Sequence, residues 1–200
     1  MPTASRAKHK FCRRIGQCIW GDPKCPSVKR PYAAGPHGKG RRVKLSTYGE
    51  LLMEKQKLKN YYAISEKQLQ IAYAKAKAGT GQTHEKLFRN LEQRLDAMVF
   101  RAGFAPTIFA AKQFVNHGHI LVDGKRIDRS SCLVKEGQVI SIDAAKSLAI
   151  AEIAKKGNST IPAYMEVDLE NLKATLTRAP QLEEIPVSVK IMSVIEYYAR

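Results

Sequence analysis

Four side chains in the first 25 residues could hold a metal ion: His9, Cys12, Cys18 and Cys25. Thiolates and an imidazole are the donors of a closed tetrahedral zinc site. The short step from His9 to Cys12 lets the chain turn around an ion, and the two longer loops let it return. The surrounding chain is a poor core builder, so metal affinity there becomes folding free energy. The spacings follow no standard zinc-ribbon pattern. Unmetalled thiols, with His9 solvated in a basic run, and an iron–sulfur cluster stay open beside the zinc reading. Cys132 stands apart between Ser131 and Leu133 and reads as a small packed residue. Nothing near Met1 reads as an export signal, so a reducing cytoplasm, where disulfides do not persist, is expected.

The second chemistry is electrostatic. The 200 residues carry 34 Lys+Arg against 18 Asp+Glu, a formal charge of +16, while 44% of them are apolar. That is a folded chain with a field that a small neutral substrate does not need and a polyanion does. Through Tyr62 there are 15 basic and 3 acidic residues, and in the remaining 138 there are 19 and 15. A solubilising surface requires no such one-sidedness; a nucleic-acid-binding arm leading into a folded body does. No apolar window approaches the ~18 residues of a membrane span. Lys8, Lys10, Arg13 and Arg14, then Lys29 and Arg30, then Lys39, Arg41, Arg42 and Lys44 offer phosphate contacts. Tyr32, His37 and Tyr48 offer ring faces to bases or sugars. Further along, Lys112, His117, His119, Lys125 and Arg126 fall on a helix end and a hairpin. Asn116-His117-Gly118 makes a polar helix exit suited to clamping a backbone. Catalytic patterns are missing. Gly79-Thr80-Gly81-Gln82-Thr83 lacks the Gly-Lys-Ser/Thr ending of a phosphate loop and reads as a helix connection.

These groups need elements to position them. Residues 1–45 are rich in Pro and Gly, which restricts helices to short pieces. Ser46 can cap a helix through Leu58, and a second helix runs from Ser65 to Ala78 with Leu69, Ala72 and Ala76 as its stripe. Leu87, Leu91, Leu95, Met98 and Ala102 predict one continuous helix over 85–102. A short helix follows over 107–116, then a strand at Ile120–Val122, a type I′ turn at Asp123-Gly124 and a return strand from Lys125. Leu133-Val134 and Val139–Ile142 flank Gly137 as a second strand pair. A helix is expected over 147–156, ended by Gly157, and short strands at 162–167 and 174–176. The fold class is therefore α+β: a basic extended arm over 1–45, a mainly helical body over 46–90 and 144–200, and an inserted α+β unit with short antiparallel strands over 91–143.

Several segments resemble the bacterial small-subunit ribosomal proteins of the family numbered four, along the full chain. Cys12-Arg13-Arg14-x-Gly16 is similar to that family's metal-linked arm. Lys29-Arg30-Pro31-Tyr32-Ala33-x-Gly35-x-His37-Gly38 resembles its signature loop, with Pro36 where glutamine is usual. Tyr48-Gly49, Glu54-Lys55-Gln56-Lys57, Arg94-Leu95-Asp96, Val99-Phe100-Arg101-x-Gly103-Phe104 and His117-Gly118-His119-Ile120 follow its order, as does the ending Val194-Ile195-Glu196-Tyr197-Tyr198. The resemblance implies an RNA-binding module of the alpha-L type over 91–143. It implies a non-enzymatic constituent of the small ribosomal subunit that binds 16S rRNA and nucleates assembly. The family lies near the channel through which messenger RNA enters and contributes to decoding accuracy. Neighbouring small-subunit proteins and messenger RNA are the further partners implied; no membrane and no homo-oligomer are expected. A free RNA-binding regulator or assembly factor built on the same module is the alternative. The resemblance adds Lys55, Lys57, Arg94, Arg101 and Gln113 to the expected rRNA contacts, and one structural zinc ion on His9, Cys12, Cys18 and Cys25. Two departures stand out. His9 occupies the place of a cysteine, and Ile108-Phe109 replace two arginines, which removes phosphate contacts or hands the position to a protein neighbour.

Overall fold

Proline and glycine keep the N-terminal helices short. Helix α1 (Lys10–Ile15) stops at Gly16, whose left-handed backbone (φ 89°) lets its N–H donate to the Cys12 carbonyl at 2.8 Å. Helix α2 (Pro26–Lys29) opens on a proline at its first position, where no N–H is required. The computed structural model describes residues 9–40, 44–143, 147–155 and 161–199. Lys8, Arg41 and Arg42 among the expected phosphate contacts, and Lys156 with Gly157 at an expected helix end, lie outside them. The chain divides into two units, Met1–Tyr61 with Ser188–Arg200, and Tyr62–Val187.

In the first unit, α3 (Thr47–Tyr61) starts behind Ser46, whose hydroxyl accepts from the Gly49 N–H at 3.2 Å. It buries Leu51, Lys55, Leu58 and Tyr61, and packs against the last helix (Ile191–Ala199), which buries Ile191 and Val194. Glu54 of α3 accepts from the Lys190 N–H at 2.9 Å, placing a carboxylate at the start of that last helix.

In the second unit, α4 (Glu66–Ala78) begins with a reciprocal capping box between Ser65 and Gln68. Residues 79–82 connect it to α5 (Thr83–Glu92), and α6 (Leu95–Arg101) and α7 (Ile108–Asn116) follow, the latter capped by the Thr107 hydroxyl. Strands β1 (Ile120–Val122), β2 (Lys125–Arg126), β3 (Val139–Ile142), β4 (Met165–Asp168) and β5 (Lys173–Leu176) form one antiparallel sheet in the order β2-β1-β3-β5-β4. Asp123 and Gly124 both take positive φ (50° and 76°), as a type I′ turn demands. Helix α8 (Leu148–Lys155) buries Ala151 and Ala154, and α9 is the Ile191–Ala199 helix of the first unit. The core of this second unit gathers Leu95, Met98, Val99, Phe104, Val115, Ile120, Ile140, Tyr164 and Leu176.

Two sequence expectations are corrected here. The helix predicted over 85–102 is broken: Arg94 is extended (φ −64°, ψ 141°) between α5 and α6. Backbone N–H groups of Leu95 and Val134 donate to the carbonyls of Cys132 and Gln93, both at 2.8 Å, so pairing with a distant segment interrupts a helical period that never falters locally. Second, Val139–Ile142 does not pair with Leu133-Val134. It lies between β1 and β5, with Ile140 opposite Val122 on one side and Ala174 on the other. Leu133 instead makes a single bridge to Arg94. The sheet thus continues beyond residue 143 into β5 and β4.

Candidate metal cluster and cationic surface

Helix α1 carries Cys12, and the chain just before it carries His9. The loop after Gly16 carries Cys18, and Cys25 immediately precedes α2. Their donor atoms all lie within 4.8 Å of one another. A tetrahedral ion with sulfur ligands at about 2.3 Å sets those ligands roughly 3.8 Å apart, so the cluster fits a metal with little movement. Cys12 and Cys25 are buried, and the Cys25 sulfur lies 3.1 Å from His9 Nδ1 and 3.1 Å from the Ser27 hydroxyl. Ser27 is itself buried and orients a ligand, the outer-shell role that tunes metal sites. The His9 ring meets Trp20 edge to face at 5.9 Å, and the Trp20 indole N–H donates to the Tyr61 carbonyl at 3.2 Å.

Burial pushes the Cys12 thiol up to about 12, with Cys18 and Cys25 adding to the rise against a backbone hydrogen bond from Ile19. Burial also pushes Cys25 up, but hydrogen bonds from Ser27, Cys18 and Cys12 outweigh it and the net shift is downward. Cys25 is the readier thiolate. A metal held here would displace the proton from Cys12, so its uptake would weaken as pH falls.

Arg13 holds the glycine-rich loop beside this cluster. Its guanidinium donates to the carbonyls of Tyr32 at 3.1 Å and Ala33 at 3.2 Å, and lies 5.0 Å from the Tyr32 ring centroid, with Lys39 at 5.6 Å from the same ring. A side chain at Gly38 would meet the Ala33 carbonyl oxygen at 1.8 Å, so the loop closes only with glycine there. Around this frame Lys10, Arg14, Lys29, Arg30, His37, Lys39, Lys44 and Tyr48 are exposed. In the second unit Gln113, His117, Lys125 and Arg126 are exposed, and Arg126 donates to the His117 carbonyl at 3.1 Å across Gly118. His119 is half-buried with Nδ1 2.7 Å from the Ser147 hydroxyl.

Other expected contacts turn inward. Lys55 is 4% exposed, its ammonium 4.4 Å from the Tyr197 ring centroid. Arg94 makes a bidentate pair with Asp96 (3.0 and 2.7 Å), and Arg101 one with Glu92 (3.1 and 2.6 Å), all four side chains buried. Tyr62 and Tyr164 donate to the same Glu92, at 2.7 and 3.3 Å. Tyr164 is held well above the usual phenol range, by burial first and by the neighbouring Glu92. Lys57 pairs with Glu54. Lys112 is half-buried, donates to the Ala63 carbonyl at 2.9 Å, and has its pKa lowered by burial, against the pull of Asp96. The buried guanidinium groups of Arg94 and Arg101 are committed to carboxylates within the fold, and removing one partner of such a pair is what costs stability. Ile108 is 2% exposed, so its apolar side chain is covered by the chain itself and needs no protein neighbour. Sequence reasoning missed Glu92, because nothing local marks which carboxylate will be buried with an arginine. Ser27, two residues after a ligand, carried a usable signal.

The described residues contain no helix long and apolar enough to cross a membrane. Residues 4–92 match the family of the ribosomal protein S4/S9 N-terminal domain, and residues 93–140 match the S4 domain. The chain is 46% identical to the small ribosomal subunit protein uS4 of Ruegeria sp. (strain TM1040), over the full length of both. It is 47% identical to that of Afipia carboxidovorans, again over both full lengths, and 48% to that of Methylobacterium nodulans over 98% of each chain.

Proposed function

The chain belongs to the uS4 family of small ribosomal subunit proteins, and from that premise we propose that it is a non-catalytic constituent of the small subunit that binds 16S rRNA directly. The observation that carries this reading is the set of exposed cations in the first unit, on the same segments as the donor cluster and the loop held by Arg13. Lys10, Arg14, Lys29, Arg30, Lys39 and Lys44 contact phosphates there, and Tyr32, His37 and Tyr48 supply ring faces. Gln113, His117, His119, Lys125 and Arg126 add a second, smaller contact on the inserted α+β unit. The long-range attraction comes from the first unit, and the preformed second unit fixes register. Binding early, the protein nucleates assembly of its side of the particle, near the channel through which messenger RNA enters, and so contributes to decoding accuracy. Neighbouring small-subunit proteins are its other partners, in the cytoplasm.

The metal is zinc. One histidine and three cysteines suit a four-coordinate zinc ion better than an all-thiolate cluster, and such an ion supplies folding energy and no reaction. Elemental analysis of protein purified without chelator should give about one zinc per chain; less than about 0.2 would defeat the assignment.

Co-sedimentation tests the main reading. The chain should stay stoichiometric with small subunits at moderate salt. Its affinity for 16S rRNA should fall with log salt by about 0.9 per phosphate neutralised on duplex segments, and somewhat less on single strands. A chain that leaves the particle at moderate salt, or shows no salt slope, would contradict it.

A further inference from the structure

A recess of about 320 Å3 opens on the second unit between α4, α5 and the 131–133 segment. None of the expected rRNA contacts except the buried Arg94 lines it. Its rims are apolar and open: Ile71 on α4 is 47% exposed and Leu133 is 41% exposed. Ala72 lies on its wall. Asn90 and Ser131 also line it, with no side-chain hydrogen-bond partner among the described residues; Gln68 lines it too, its carboxamide oxygen already accepting from the Ser65 N–H, and Lys75 supplies a cation. No carboxylate lines it.

The recess is built before any ligand arrives. The 130–134 segment is laced to residues 93–96 by backbone hydrogen bonds (Leu95 to Cys132 and Val134 to Gln93, both 2.8 Å) and by the bridge between Arg94 and Leu133. The bidentate Arg94–Asp96 pair locks the same wall. Its volume is near the lower end of the roughly 300–1,000 Å3 of small-ligand sites, so it suits one planar group rather than a duplex.

We propose that this recess receives a single unpaired nucleobase of the bound RNA. The side chains of Ile71 and Leu133 offer apolar packing to a flat ring, and the carboxamide of Asn90 and the hydroxyl of Ser131 each offer a donor and an acceptor to its polar edge. Lys75 then meets the adjoining phosphate. Lys75 with no carboxylate in the lining favours an anionic chain, which the bound RNA supplies. The inference rests on the rRNA-binding reading above.

The test is nucleotide-resolution chemical probing of full-length 16S rRNA with the intact chain and two variants. Ala72→Phe fills the recess, and Asn90→Ala with Ser131→Ala removes only its polar edge and leaves the apolar packing intact. The wild-type chain should protect the base of one unpaired nucleotide that both variants leave reactive, while the footprint of the first unit is unchanged. Affinity should fall about tenfold for Ala72→Phe, within the range found for removing one base-stacking contact. Identical base protection by the wild type and the edge variant would overturn the proposal even if Ala72→Phe proved unstable. An unchanged RNA footprint combined with lost binding of a neighbouring ribosomal protein would assign the recess to that protein instead. Failure of the wild-type chain to bind the rRNA at all would defeat the functional reading itself, a separate outcome.

Discussion

The two units carry equal numbers of basic side chains, 17 each, yet the first has 4 acidic residues and the second 14. The first is therefore net +13 and the second net +3. The field that attracts a polyanion is set by leaving acids out, and it leaves the first unit few carboxylates to pair with its cations, Glu54 with Lys57 being one such pair. In the second unit two arginines are drawn inside by Glu92 and Asp96, beneath a continuous apolar core. The first unit has a cluster of potential metal donors and the hydrogen bonds of Arg13 in place of such a core around its N-terminal segment. One unit is organised for charge, the other for shape.

The sharpest way to break this contrast is to withdraw the proposed zinc. A chelator, or Cys12→Ser with Cys25→Ser, should erase hydrogen-exchange protection in α1 and α2 while leaving β1, β3 and β5 protected. Structural zinc supplies about 10–16 kcal/mol in small zinc-finger peptides, so the local effect should be all-or-none. Persistent protection of α1 would show that the arm holds itself. The matching lesion in the second unit is Glu92→Ala, which removes the buried carboxylate that accepts from Arg101, Tyr62 and Tyr164 and should cost about 3–5 kcal/mol in denaturant unfolding. A cost below about 1 kcal/mol would mean that the pair is dispensable.

Charge reversal sharpens the contrast at the RNA. Reversing Arg41 and Arg42 should weaken 16S rRNA binding about tenfold or more and flatten the salt slope, because each phosphate contact contributes close to one unit of that slope on duplex RNA. Reversing Lys112, half-buried on the Ala63 carbonyl, should change the slope far less. Equal or inverted effects in a footprinting titration would remove the functional distinction between the units. The smallest expected effect is that of Ser65→Ala. It deletes one half of the capping box of α4 and should cost about 1 kcal/mol, with RNA affinity unchanged.

Local signals were easy to read. Ser46, Ser65 and Thr107 begin helices because a hydroxyl satisfies N–H groups within the same turn. Asp123-Gly124 makes its turn because only those two residues must accept positive φ. The four metal donors were legible because three cysteines crowd a segment with little else to bury. The break at Arg94 was invisible, since the heptad-like run from Leu87 to Ala102 continues straight through it. The pairing of β3 was misread because Leu133-Val134 is nearer along the chain and equally apolar. Of the expected contacts, Lys55, Arg94 and Arg101 look like any surface cation in sequence.

Composition and short-range spacing determine that this chain is a cationic α+β protein with three cysteines and a histidine crowded near its start, because charge balance, capping and tight turns depend on residues within a few positions of each other. Tertiary structure alone decided which cations face water, where α5 gives way to α6, and that an open recess lies beside the laced 93–96 and 130–134 segments. Most of those outcomes depend on partners distant along the chain, such as Glu92 for Arg101, Cys132 for Leu95 and the Ala63 carbonyl for Lys112. A buried charge is tolerated only where its counter-ion arrives, and no local pattern announces that arrival.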